Sequence, residues 1–332
     1  MRTSFGFACT IAMLAGPILT SVLASASTFV VAPLVSDQAG AAPKTDSDLV
    51  NAWGLAQAGD SAPVWVSDNG SGKSTFYDRS TGAKFSPVVT IPGGAPTGVV
   101  YSGSGFTIQG QVPFFLFDSE AGQITGWSGG ATALVAVDES ASGTVYKGLA
   151  IDPVNHLLFA ADFAHGHVEE FDTNYKKLRT FKDGELPKSY APFNVQLLNG
   201  KLYVAFAQRE VGGTDEVDGA HKGFIDVFST SGVLQHRLIA NGLLNAPWGM
   251  TIAPSGFGTL AGDLLVGNFG DGKINAYNAN TGAFIATLMK HSGKPVRIGG
   301  LWALDAGPGN KVTFSAGPGG EAHGLLGLLE AR

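Results

Sequence analysis

Acidic and amide side chains recur directly after short apolar segments of this chain. They are Asp68, Asn69, Asp118, Asp162, Gln208 and Asn268. Carboxylate and amide oxygens are the hard ligands that Ca²⁺ takes, so a fold that gathered these residues would form a divalent-cation site. The alternative is that they bond the backbone amides of tight turns, as such side chains commonly do.

Three of the seven histidines, His165, His221 and His323, lie in similar loops, each between an alanine and a nearby glycine. Imidazoles that converge on one point would bind a transition metal, and His167 could reinforce a smaller site beside His165. The repeats that carry the three loops are far apart in the fold predicted below. Separate, exposed loop histidines are therefore the alternative.

Aromatic residues form a third candidate set. Trp53, Phe193, Trp248 and Trp302 each precede a small or polar residue at the start of an apolar segment. A Trp ring at the mouth of a channel could stack on a sugar or another flat ligand. Large aromatic rings are mostly buried in proteins, so the alternative is that these rings fill a core.

A repeat of strand-like segments predicts the fold that positions these residues. A short motif of the Ala52–Leu55 or Pro247–Met250 type occurs six times, at intervals of about 50 residues. Each copy is followed by further short alternating segments and Gly-rich turns, which is typical of antiparallel blades. The pattern predicts an all-β, six-bladed β-propeller; a β-sandwich or a two-domain β protein is the alternative.

The last repeat lacks a fourth strand, and the segment from Phe29 to Val35 offers a spare one near the other end of the chain. We therefore expect this first strand to complete the last blade and close the ring, which also protects sheet edges.

The motifs NAWGL, APWGM, LLVGNFGDGKINAYNANTGAF and FSAGPGGEAHGLLG resemble a family of exported bacterial propellers of unknown function. More distantly, the repeats resemble NHL-repeat and gluconolactonase-like propellers. The first resemblance implies a fold but no activity. Gluconolactonase-like propellers hold a divalent ion near the axis with Glu, Asn and Asp, which implies a ligand role for Asn194. The glutamate expected in the first blade is missing from Asn51–Leu55.

The N-terminus has the features of a secretory signal. Arg2 is followed by the apolar stretch from Phe5 to Leu23, and Ala24-Ser25-Ala26 has the form that signal peptidase cuts. We expect residues 1–26 to be a signal peptide, residues 27–332 to be one propeller domain, and the mature protein to be periplasmic or extracellular. A transmembrane anchor is the alternative. Cleavage would remove Cys9, the only cysteine, which excludes disulfides and thiolate catalysis.

The net charge of the chain and the length of one loop limit the classes of function that the sequence supports. A net charge of −6 without basic runs argues against nucleic acid as a partner. The long acidic loop 208–222 could close over the channel or hold Ca²⁺. The leading hypothesis is a monomeric scaffold that binds a small molecule, a glycan or a protein on its loop face. The alternative is a metal-dependent lactonase, hydrolase or lyase with Asp68, Asp162, Asn194 and Asn268 around a divalent ion.

Overall fold

The computed structural model describes Met1, residues 27–103 and residues 105–332. The predicted signal peptide, apart from Met1, lies outside the described residues. Within these ranges, no helix has both the length and the apolar character needed to cross a bilayer.

Six sheets, each built on four antiparallel strands, form the blades of a β-propeller. Blade 1 comprises β3 (Ala52–Ala56), β4 (Val64–Asp68), β5 (Lys73–Tyr77) and β6 (Val89–Thr90). Blade 2 comprises β7 (Pro96–Tyr101), β8 (Phe115–Ser119), β9 (Gln123–Trp127) and β10 (Leu134–Asp138). Blade 3 comprises β11 (Tyr146–Asp152), β12 (Leu157–Asp162), β13 (His167–Phe171) and β14 (Lys177–Phe181).

The second half of the ring follows the same plan. Blade 4 comprises β15 (Tyr190–Leu198), β16 (Lys201–Arg209), β18 (Phe224–Phe228) and β19 (Leu234–Ala240), with β17 (Glu216–Val217) paired to β16. Blade 5 comprises β20 (Pro247–Ile252), β21 (Leu264–Asn268), β22 (Ile274–Tyr277) and β23 (Phe284–Thr287). Blade 6 comprises β24 (Leu301–Ala306), β25 (Lys311–Ala316), β26 (Leu325–Ala331), β1 (Phe29–Ser36) and β2 (Lys44–Thr45). Short 3₁₀ turns occupy Asn69–Ser71, Ser140–Ser142 and Gly258–Leu260.

The first strand of the described chain lies in the last blade. β1 pairs antiparallel with β26, from Phe29 opposite Ala331 to Ser36 opposite Leu325. Just beyond β1, Asp37 accepts a hydrogen bond from the backbone N–H of Gly324 at 2.9 Å. Strands from opposite ends of the chain thus share one sheet.

Side chains alternate along each strand, and both faces of each blade pack against a neighbouring blade. On β12, Leu158 and Ala160 pack toward blade 2, whereas Phe159 and Ala161 pack toward blade 4. Burial of each large apolar side chain contributes about 1.5–3 kcal/mol, so these inter-blade layers are the main source of stability.

Most inner strands have a glycine near their start, because a side chain there would collide with the backbone of the next blade. A Cβ on Gly98 would lie 2.4 Å from the backbone nitrogen of Leu149 in the next blade. A Cβ on Gly249 would lie 2.4 Å from the carbonyl oxygen of Trp302. The inner strands therefore approach each other backbone to backbone around the channel, which explains the recurring aromatic-Gly motif.

Candidate functional site at the channel mouth

Three tryptophans plug the central channel. Trp53 stacks on Trp302 with ring centroids 3.6 Å apart, and Trp248 meets both rings edge-on at 6.1 and 5.9 Å. Their exposed fractions are 1%, 0% and 1% for Trp53, Trp302 and Trp248. These rings, predicted to bind a ligand by stacking, instead fill the channel as the core alternative expects, because they lie where three inner strands converge.

The plug separates the loop face from a cavity of about 210 Å³ in the channel beyond it. The walls of this cavity include the inner-strand backbone at Gly54, Gly98 and Gly249, together with Gln196 and Asp305.

A network of polar side chains covers the plug on the loop face. It consists of Asn51, Asn69, Glu120, Lys147, Asp215, Glu216 and Glu321, and is called the mouth network below. Its members come from five of the six blades, and each lies at the start of a first strand or beyond the end of a second strand.

Asparagines connect the plug to the acids of the mouth network. Asn51 accepts a hydrogen bond from the indole N–H of Trp302 at 2.9 Å and donates to Glu321 at 2.8 Å and to Asn69 at 3.2 Å. Asn69 in turn donates to Glu120 at 2.9 Å. The plug and the surface acids are therefore held in one continuous set of hydrogen bonds.

Lys147 is the centre of the network. It lies on β11, its side chain is 2% exposed, and its ammonium lies 2.7 Å from Glu120 and 3.6 Å from both Asp215 and Glu216. The ammonium also faces the rings of Trp53 and Phe163 at 5.3 and 5.6 Å. Burial alone would lower the pKa of Lys147, but the neighbouring carboxylates outweigh burial and raise it, so the side chain is a fixed cation.

The acids around Lys147 outnumber it. Burial raises the pKa of Glu216 from 4.5 to about 7, and Lys147 offsets only part of that effect. Burial likewise raises the pKa of Glu321, against the hydrogen bond from Asn51. Three carboxylates lie within 3.6 Å of the one ammonium and Glu321 is joined to them through Asn51, so the acids of this part of the mouth exceed its cations in number.

The long loop 208–222 reaches the mouth, as the sequence suggested it could. Asp215 and Glu216 bring it within 3.6 Å of Lys147 on the neighbouring blade. Asp215 remains 73% exposed, whereas the Glu216 side chain is only 8% exposed. Arg209 at the base of the loop donates to the carbonyl oxygens of Phe163 and Ala164, which ties the loop to blade 3.

The predicted oxygen ligands are not gathered at one point. Asp68 continues the face of β4 that packs toward blade 6, and Asn268 bonds the backbone of Leu243 and Asn245 between blades 4 and 5. Asn194 is buried and donates to the carbonyl oxygen of Trp248 at 2.8 Å, joining two inner strands. Asp162 accepts the backbone N–H of His165 at 3.1 Å, which is the turn role given above as the alternative. Of the predicted polar residues, Asn69 is the one that joins the mouth network.

The three predicted metal-binding histidines have separate partners. His165 contacts Asp162 at 2.6 Å, His323 contacts Asp37 at 2.9 Å, and His221 contacts the carbonyl oxygen of Gly242. The structure therefore does not bring them together, because each is held by its own blade or by the adjoining connection. Among the described residues, the His and acid group spaced to hold a metal contains His167 instead.

Sequence reasoning missed Glu120, Lys147 and Glu321. Lys147 carried a usable signal: it occupies the place that Trp53, Phe193 and Trp248 take in other repeats, where a charged residue is unexpected. The two glutamates lie in turns, and nothing local distinguishes them from solvent-exposed acids.

Comparison with known proteins places the chain among relatives of viral origin. The uncharacterized protein R648 of Acanthamoeba polyphaga mimivirus is 32% identical over 320 residues, covering 89% of this chain and 78% of its own length. Protein L690 of the same virus is 31% identical over 327 residues, covering 91% of this chain and 86% of its own length. The chain belongs to the family of these mimivirus proteins. These relatives are viral proteins, so they do not support the expected resemblance to a family of exported bacterial propellers. No protein-family model matches the chain.

Solved structures share the fold at low identity. A nidogen–laminin complex matches with a TM-score of 0.54 and 15% identity, covering 84% of this chain and 97% of that chain. A luciferin-regenerating enzyme matches with a TM-score of 0.56 and 11% identity, covering 85% of this chain and 92% of that chain. An inactive variant of virginiamycin B lyase from Staphylococcus aureus, solved with quinupristin, matches with a TM-score of 0.56 and 12% identity. The match covers 92% of this chain and 99% of that chain. At these identities the likeness shows the propeller fold alone.

Proposed function

We propose that this family member is a binding scaffold whose channel mouth recognises a positively charged group, such as an amine or guanidinium, on a small molecule or a protein. The observation that carries this proposal is the mouth network, in which the carboxylates of Glu120, Asp215 and Glu216 lie within 3.6 Å of a single ammonium. A fourth carboxylate, that of Glu321, joins the network through its hydrogen bond from Asn51. The ring of blades holds the short turns of the network in position, so most of the site is organised before a ligand arrives, and the long loop adds Asp215 and Glu216 when it is closed.

Electrostatics support a cationic ligand over an anionic or neutral one. Each raised pKa in the network means that ionising the acid is costly in its present surroundings. A second cation at the rim would reduce that cost for Glu216 and Glu321 together. Asp215, at 73% exposure, offers the ligand a first contact in water.

The rigid pairing of Lys147 supports binding rather than catalysis. A lysine that acts as a base or nucleophile needs a lowered pKa, whereas the carboxylates raise the pKa of Lys147. The metal-dependent alternative needed Asp68, Asp162, Asn194 and Asn268 around one ion. Each of these has a different structural setting, which favours the binding scaffold over that alternative.

The signal-like N-terminus supports export as a further part of the proposal. Cleavage after Ala26 would leave Ser27 two residues before β1, so the whole ring would remain in the mature protein. The intact mass of the protein recovered outside the cytoplasm tests this cleavage site.

Binding is tested by calorimetry with mature protein and a hexa-arginine peptide, with spermidine as the small-molecule probe and hexa-glutamate as the opposite-charge control. We expect the cationic probes to bind, more weakly at higher ionic strength, and the Asp215→Asn/Glu216→Gln variant to lose most of the affinity. The matched control is Asp60→Asn/Glu185→Gln, which removes two exposed carboxylates elsewhere.

Two results would overturn the proposal. One is equal binding by the mouth variant and the control variant, or no binding of either cationic probe. The other is turnover of lactones or esters by the purified protein that disappears in Asp162→Ala or Asn194→Ala.

A further inference from the structure

A second cluster lies on the same face of the ring, where β12 ends and β13 begins. It consists of Asp162, His167 and Glu169, whose ligand atoms all lie within 4.8 Å of one another. The cluster is outside the mouth network and has no part in the function proposed above.

We propose that Asp162, His167 and Glu169 form a binding site for a divalent transition-metal ion. Metal–ligand bonds of about 2.0–2.1 Å in tetrahedral geometry place neighbouring ligand atoms about 3.3 Å apart. The His167 Nε2 atom lies 3.3 Å from Glu169 Oε1 and 3.7 Å from Asp162 Oδ2. These two separations need a shift of only a few tenths of an ångström to match the geometry of a bound ion, and the ligand oxygens of Asp162 and Glu169 lie within 4.8 Å of each other.

The antiparallel register explains why these three residues meet. Asp162 pairs with His167 across the hairpin, and Ala160 pairs with Glu169. His167 and Glu169 are two residues apart on β13, so their side chains point to the same face of the sheet. Strands hold ligands more precisely than loops do, and this site rests on two of them.

Both carboxylates are buried and held in orientation by neighbours. Asp162 and Glu169 are 0% and 1% exposed. The Tyr146 hydroxyl donates to Glu169 Oε2 at 2.6 Å, leaving Oε1 directed at His167. His165 contacts Asp162 Oδ2 at 2.6 Å, which is the kind of outer hydrogen bond that positions metal ligands.

The ammonium of Lys177 already occupies the cation position next to Glu169. Its Nζ lies 2.6 Å from Glu169 Oε1 and 2.6 Å from Glu139 Oε2. Lys177 is 34% exposed, so it can withdraw to Glu139 alone when a metal ion displaces it. Lys177 is therefore a competitor for the site, and its removal should strengthen metal binding.

The ligand set selects the class of metal. One imidazole with two carboxylates suits Zn²⁺, Mn²⁺ or Co²⁺, whereas Ca²⁺ takes oxygen ligands only. Three protein ligands leave a fourth position for water, and the partial exposure of His167 and His165, 23% and 42%, gives solvent a route to it.

The test is titration of metal-free mature protein with Zn²⁺ by calorimetry and with Co²⁺ by visible absorption, which reports the ligand field of the bound ion. We expect one ion per chain. His167→Ala and, separately, Glu169→Gln should weaken binding by about tenfold or more. Lys177→Met should tighten it. His236→Ala, which removes an exposed histidine of blade 4, is the matched control and should change nothing.

The thermal midpoint of each metal-free variant separates loss of a ligand from loss of the fold. The proposal is overturned if Zn²⁺ fails to bind stoichiometrically, or if binding persists unchanged in both His167→Ala and Glu169→Gln while those variants remain folded. It is also contradicted if Lys177→Met leaves the affinity unchanged or weaker. None of these three results depends on whether the channel mouth binds a cationic ligand.

Discussion

Protonation of Glu216 should control how firmly the long loop closes over the channel mouth. Burial raises its pKa from 4.5 to about 7, and the side chain is only 8% exposed, so screening by water is small. A pKa difference of this size corresponds to about 3 kcal/mol between the closed loop and an open loop in which Glu216 is hydrated. We expect Glu216→Gln, which cannot ionise, to remove this pH dependence.

The direction follows from proton linkage. The closed loop holds the Glu216 proton more tightly than the open loop does, so closure is fully favoured below about pH 4.5. Closure then weakens as the pH rises toward about 7, and it stays at the weaker level above that value. Lys147 remains protonated throughout this range because its pKa is raised.

Hydrogen exchange of peptides from loop 208–222 measures the effect. At pH 8, we expect the loop of Glu216→Gln to be more protected than the wild-type loop by up to about a hundredfold, and the two to converge below about pH 4.5. Comparison at the same pH cancels the intrinsic exchange rate. Asp218→Asn, an exposed acid in the same loop, is the control and should behave as wild type. Equal protection of Glu216→Gln and wild type at pH 8 would refute the reasoning.

Two further predictions concern buried charge. Lys147→Met should lower the free energy of unfolding in urea by about 3–5 kcal/mol at pH 8, because it leaves buried acids without a cation, and Glu120→Gln in the same chain should restore part of the loss. Asp68→Asn should raise stability at pH 8 by about 1–3 kcal/mol, since both Asp68 oxygens lack a hydrogen-bond partner among the described residues. Burial raises the pKa of Asp68 well above 3.8, so the wild type loses stability as pH rises through that raised value, and the gain should shrink toward pH 4.

The propeller fold could be predicted from the sequence because its causes are local and repeated. Alternating apolar residues identify the strands, and the glycine in each Trp53-Gly54 type of motif reflects the close approach of neighbouring inner strands. Because the same pattern occurs in each repeat, a strand that is ambiguous in one blade can be assigned from its counterpart in another.

Several residues predicted at the ends of the second strands lie one position short of the channel mouth. In register, Asp68, Asp162 and Asn268 are equivalent positions, each opposite the first residue of the inner strand. Side chains alternate, so these residues turn toward a neighbouring blade, and the next residue along reaches the channel. That next residue is Asn69 in blade 1, which the sequence analysis named, and Glu120 in blade 2, which it missed.

One residue that reaches the mouth departs from the pattern of the repeat at the inner-strand position of Trp53 and Trp248. Trp53 and Trp248 fill the inner-strand place with an aromatic ring, which satisfies packing alone. Lys147 stands in the same place and is equally buried, although a buried charge costs several kcal/mol unless it is paired. Four of the other five blades have an aromatic residue at this position, so packing does not require a lysine. The proposed binding function of the mouth accounts for the lysine and the acids that surround it, whereas the packing of the fold accounts for the similarity of the blades.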